Sequence, residues 1–113
     1  IQMKLFLLLA LLLTPALALS VLEPQCNCID KESLGRSTWK LLHDIVDNVE
    51  YNENSNTAFC SLMDNLSEIY PCEECREHIE EYLEESPAEM THEWLCTFHN
   101  AVNKRLNKKI IYC

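Results

Sequence analysis

The chain has 113 residues and a formal net charge of −9, with 9 Lys and Arg against 18 Asp and Glu. That length suits one domain, and the sign of the charge excludes a nucleic-acid binder, which needs a basic footprint. Seven cysteines in so short a chain, behind what reads as an export signal, make disulfides the default expectation; the odd count leaves at least one thiol free or paired between chains.

Met3-Lys4 supplies a start and a positive charge, with Ile1 and Gln2 ahead of it. An unbroken apolar run over 5–13 is followed by Thr14-Pro15 and by small residues at cleavage spacing, Ala16-Leu17-Ala18 or Ala18-Leu19-Ser20. Residues 1–20 therefore read as a secretory signal peptide. The run falls short of the about 20 residues of a membrane span, and an uncleaved anchor reaching Leu22 is the alternative. The expected location is the secretory pathway, in the endoplasmic reticulum lumen or outside the cell. Residues 21–32 read as a flexible leader carrying Cys26-Asn27-Cys28.

Helices fill the rest. After Asp30, a candidate cap, Leu34, Thr38, Leu41, Leu42, Ile45 and Val49 recur at helical spacing. Residues 52–56 form a polar loop. A second helix places Phe59, Leu62, Met63, Leu66, Ile69 and Tyr70 on one face. Pro71 stands where a third helix can begin; that helix carries Cys75, Ile79, Tyr82 and Leu83 and stops at Ser86-Pro87. Thr91 can cap a fourth, with Trp94, Leu95, Phe98, Val102 and Leu106 inward. The short apolar stretch 110–112 is the nearest thing to a strand. Four amphipathic helices with short connections predict an all-α antiparallel four-helix bundle over 33–113.

Cys72-Glu73-Glu74-Cys75 opens a helix, where unpaired N–H groups and the helix dipole favour the reactive thiolate. Two thiols one turn apart can close a disulfide and reopen it. The same pair could be half of a zinc site completed by Cys26, Cys28 or a histidine. His99 and Asn103, four apart, share a helix face, as do Trp39 and His43. Two such ring-bearing pairs beside a redox motif point to a flat aromatic ligand between helices. The basic residues Lys104, Arg105, Lys108 and Lys109 suit a helix C-terminus or a seat for phosphates. Cys60, on or beside an apolar face, reads as a buried free thiol, with a cross-link in a dimer as the alternative. A secreted zinc module and a disulfide-stapled helical scaffold remain as non-catalytic readings; neither accounts for the two ring-bearing pairs.

Three segments together resemble the Erv/ALR family of FAD-linked sulfhydryl oxidases: Gly35-Arg36-Ser37-Thr38-Trp39-Lys40-Leu41-Leu42-His43, Tyr70-Pro71-Cys72-Glu73-Glu74-Cys75, and Trp94-Leu95-Cys96-Thr97-Phe98-His99-Asn100-Ala101-Val102-Asn103. Arg105-Leu106 and Cys113 extend the resemblance, which covers 34–113. It implies a four-helix bundle with FAD at one end, usually a homodimer, that oxidises thiols with O₂ and releases H₂O₂. Cys75 would be the thiol next to the flavin, and Cys72 the one attacked by incoming thiols and therefore reachable. Gly35, Arg36, Trp39, His43, Tyr70, His78, His99, Asn100, Val102, Asn103, Arg105 and Lys108 would hold the cofactor, and no metal is implied. Cys96 and Cys113 would form a structural disulfide, worth about 3 kcal/mol in the chain-entropy model.

The pattern departs from the family in stopping at Cys113, in a short 87–94 connection and in an N-terminal dithiol. A disulfide between Cys26 and Cys28 would close a tiny, strained ring and so be labile. That suits a shuttle, passing electrons from reduced protein thiols or a dithiol oxidoreductase to Cys72 and Cys75. The alternative is that these two cysteines pair with Cys60 or bridge chains.

Overall fold

The structure, a computed structural model, describes residues 28–113. The expected signal peptide at 1–20 and Cys26 lie outside the described residues. Four helices follow in order: α1 Lys31–Asn48, α2 Glu53–Ile69, α3 Glu73–Glu85 and α4 His92–Arg105. No strand occurs among the described residues, so 110–112 is irregular backbone and the fold is all-α.

Each helix starts where a side chain can satisfy orphan N–H groups. The Glu32 and Ser33 N–H groups donate to Asp30 at 3.1 Å each, so α1 begins at Lys31, two residues ahead of the domain boundary expected at 33. Asn52 and Ser55 form a reciprocal capping box. It draws 53–56 into the first turn of α2, where the sequence suggested a polar loop. Cys72 is the N-cap of α3, its sulfur accepting from the Cys75 N–H at 3.3 Å. Pro71 therefore precedes the cap and is not the first helical residue. Thr91 caps α4 as expected, accepting from the Trp94 N–H at 3.2 Å. Lys104 and Arg105 fill the last turn of α4, where cations complement the helix dipole.

Helix α2 packs on α3, and α1 on α4. The core is Leu42, Phe59, Met63, Met90, Trp94, Leu95 and Phe98. Trp94 lies edge-on to Phe59 at 5.9 Å and donates its indole N–H to Ser86. The 86–91 connection is further tied by the Met90 N–H to Asn56 (2.8 Å) and by the Cys60 thiol to the Ala88 carbonyl (3.0 Å). Cys60 is free and half-buried, which removes its pairing with the leader cysteines. Four residues expected inward are exposed: Leu41, Val49, Ile69 (72 %) and Leu106. They sit at the rim of the apolar arc, or past a helix end, where no neighbouring helix covers them. Tyr70 likewise falls outside α2, as its C-cap.

All seven glutamates of α3, at 73, 74, 77, 80, 81, 84 and 85, are exposed. His78 lies among them, 3.9 Å from Glu74 and 3.6 Å from Glu81. No helix among the described residues is long and apolar enough to cross a membrane.

Candidate active site

Cys72 and Cys75 are joined in a disulfide at the start of α3. Cys75 borders a groove of about 620 Å³ that runs between the helices. Met63, Leu66, Ile79 and Phe98 make its walls apolar, and Gly35, Trp39, Tyr70, His78, His99, Val102 and Asn103 line it too. Arg36, Arg105 and Lys108 stand around it as cations. A Cβ on Gly35 would meet no atom within 4 Å, so a side chain there would take space from the groove without striking the protein.

The aromatic end is built by α1 and α4. The His99 ring lies flat on Trp39, with centroids 3.9 Å apart and planes 8° apart. His43 Nε2 and His99 Nδ1 are hydrogen-bonded at 3.0 Å, bridging the two helices. Burial pushes His99 down to about 4, helped by His43 and Lys108. His43 is also lowered, chiefly by burial; His92 acts in the same sense while Asp47 and Asp44 oppose it. Both rings are therefore neutral near pH 7, one donating and the other accepting. Two carbon-rich faces, Trp39 and neutral His99, form a flat platform that carries no charge of its own.

The structure places three of the expected site residues away from the groove wall. Cys72 is 7 % exposed, more buried than the half-buried Cys75, because its sulfur turns back to cap the helix. It does not border the groove and is not the openly reachable thiol that was expected. His43 stands behind the groove, against His99, and not on its wall. Asn100 is also off the wall, since its amide is engaged by the backbone of Ile111. Sequence reasoning missed Leu42, Met63, Leu66, Ile79 and Phe98 as wall residues. Their helical spacing marks them only as apolar, and nothing in that pattern separates a groove wall from a core. Glu32 was missed as well: it lies 3.6 Å from Arg36 and 3.7 Å from Lys108 and joins them at the groove.

Cys96 and Cys113 form a disulfide, the pairing that the resemblance implied. Cys28 is also disulfide-bonded, while the shuttle pair as a whole involves Cys26, outside the described residues. Among the described residues, no three His, Cys, Asp or Glu side chains gather to hold a metal.

Both the sequence and the fold resemble those of known proteins. The chain is 38% identical over 94 residues to the FAD-linked sulfhydryl oxidase ERV1 of Arabidopsis thaliana, covering 75% of this chain and 48% of that protein. It is 32% identical over 91 residues to the mitochondrial FAD-linked sulfhydryl oxidase ERV1 of Saccharomyces cerevisiae, covering 74% and 48%. The chain thus spans about half the length of the curated relatives it matches. Among solved structures, the FAD binding domain of Erv1 from Saccharomyces cerevisiae superposes with a TM-score of 0.67 at 34% identity, covering 75% of this chain and 88% of that one. Residues 36–113, well over half of the sequence, match the Erv1 / Alr family, and the chain belongs to that family.

Proposed function

We propose that this chain is a FAD-dependent sulfhydryl oxidase that forms disulfides in protein thiols. One observation carries the reading: of the disulfide-linked pair at the head of α3, Cys75 borders a groove with a flat aromatic platform and cations around it. The groove fits a planar ligand with an anionic end. Its apolar walls and the Trp39–His99 stack would take a ring system, and Arg36, Arg105 and Lys108 would take a diphosphate. When bound, FAD supplies the two-electron acceptor for the reduced dithiol and the site that passes those electrons to O₂.

The rest falls to the chain's own residues. A substrate thiolate attacks the Cys72 sulfur, the S–S bond breaks, and Cys75 leaves as a thiolate at the groove. The substrate's second thiolate then attacks the mixed disulfide, releasing oxidised substrate and the Cys72 thiolate. The N-terminus of α3 stabilises negative charge on both sulfurs. Across the full cycle two thiols and O₂ become a disulfide and H₂O₂. Because Cys72 is buried, the attack requires the Tyr70–Cys72 turn to open.

Export through residues 1–20 places this chemistry in the secretory pathway, in contrast to the yeast relative named as mitochondrial. Residues 21–30, ahead of α1, act as a leader whose Cys26 and Cys28 relay electrons to Cys72. A homodimer would cover exposed apolar side chains such as Leu41 and Ile69.

The test is direct. Protein purified, incubated with FAD and desalted should be yellow, absorbing near about 450 nm, an order-of-magnitude figure for a bound flavin. It should consume O₂ with a small dithiol, and Cys75→Ser should abolish that. A colourless protein after desalting, or O₂ uptake that survives Cys75→Ser, overturns the reading. Amino-terminal sequencing of protein from the culture medium tests export, and sedimentation tests the dimer.

A further inference from the structure

Residues 106–113 turn back along α4 with little packing to hold them. Ile110 and Leu106 are about half exposed, Ile111 is 37 % exposed and Tyr112 is fully exposed. What holds the segment is a set of specific bonds. Asn107 takes a positive φ of 57° and reverses the chain, which asparagine tolerates better than most residues. The Lys108 N–H donates to the Asn103 carbonyl at 2.7 Å. Three residues on, the Asn100 side chain grips Ile111 twice: its NH₂ donates to the Ile111 carbonyl at 2.8 Å, and its oxygen accepts from the Ile111 N–H at 2.8 Å. The same NH₂ lies 3.3 Å from the Cys113 sulfur. Lys108 is itself the first anchor, and its Nζ faces Glu32 at the groove, where Arg36 meets the same carboxylate oxygen.

We propose that Asn100 is a positioning residue for the groove: it clamps the C-terminal segment so that Lys108 is held beside Arg36 as an anion seat. The anion rests on the FAD reading above; the clamp does not. The grip needs a donor and an acceptor on one short side chain, which only asparagine supplies at this reach. Alanine loses both bonds. Aspartate keeps the acceptor and loses the donor. The backbone bonds of 106–108 hold the start of the segment and the Cys96–Cys113 disulfide closes its end, but the stretch 109–112, which fixes how the Lys108 side chain leaves α4, is held between them by the clamp.

The experiment compares full-length parent, Asn100→Ala, Asn100→Asp, Lys108→Gln and the Asn100→Ala/Lys108→Gln double variant, all with the Cys96–Cys113 disulfide intact. Amide hydrogen exchange at Ile111 should rise about tenfold in Asn100→Ala, the size expected for two lost hydrogen bonds. It should rise less in Asn100→Asp and stay unchanged in Lys108→Gln. FAD affinity, read by quenching of flavin fluorescence, should weaken in both single variants. In the double variant it should fall no further than in the weaker single, because both changes remove the same cation. A purely structural role for Asn100 would not produce that non-additivity. Unchanged Ile111 exchange in Asn100→Ala overturns the clamp. Additive losses of affinity overturn the route through Lys108 and put Asn100 in direct contact with the ligand. If the parent takes up no FAD, the cofactor reading falls, and the exchange rates alone decide the clamp.

Discussion

Cys72 caps α3 through its sulfur, so the chemistry of that residue is tied to the stability of the helix. Serine and alanine at this position should both abolish turnover, but serine is a good N-cap and alanine is not. Cys72→Ala should therefore be about 1 kcal/mol less stable than Cys72→Ser, measured by urea unfolding of the two variants. Equal stability would mean that the sulfur contributes nothing to the cap. His99 carries a second prediction. Its folded pKa of about 4 lies below the ordinary histidine value of 6.5, mainly through burial. Between those values the unfolded chain binds more protons than the folded one, so stability is full above about 6.5 and falls as the pH drops towards about 4. Melting temperature should decline across that window, and His99→Gln should flatten the decline. That Trp39 and His43 share one helix face, and His99 and Asn103 another, was legible from their spacing; that His99 stacks on Trp39 was not. The positions of His43 and Asn100 behind the wall were not. Spacing assigns a face of a helix, while the depth of a side chain on that face depends on what another helix or the returning tail bonds to it.

At the level of elements, the starts of the helices were the most readable feature. Asp30 and Thr91 stand in the sequence as caps and act as caps. Asn52 and Ser55 carry the same chemistry, but their polar neighbours look like a loop until the capping box forms. Exposure was less readable: Leu41 follows the same helical period as Leu42, yet one is exposed and the other buried, because the arc covered by α4 is narrower than the apolar arc of α1. The 106–113 segment is an element without regular structure, and its disulfide to α4 should dominate its stability. Cys113→Ala should cost about 3 kcal/mol by the chain-entropy argument. That corresponds to a fall in melting temperature of more than about 10 °C for a domain of this size. Calorimetry checks it, and a loss of only a degree or two would show that the reduced chain holds the tail by other means.

For the whole molecule, the core is small and depends on a few large side chains. Met63 and Leu95 are fully buried, and Met63→Ala should cost about 2–5 kcal/mol, a large part of the about 5–15 kcal/mol that a domain of this kind has in total. Loss of cooperative unfolding at 37 °C would be the readout. The leader gives a test at the same scale. Replacing Cys26 and Cys28 by serine should spare oxidation of a small dithiol, which can enter the turn at Cys72 directly, and sharply slow oxidation of a reduced, unfolded protein. Equal rates on the protein substrate would remove the relay role. The acidic surface of α3 has a kinetic consequence of its own. A substrate thiolate approaching Cys72 in the proposed reaction would be an anion, and the seven exposed glutamates beginning at Glu73 set up a field that repels anions. If the chain oxidises thiols as proposed, the helix would sort substrates by charge before any contact is made. A thiol on a cationic peptide should react faster than the same thiol on an anionic one such as glutathione. The ratio of the two rates should shrink as salt shortens the screening length from about 10 Å at 0.1 M to about 3 Å at 1 M.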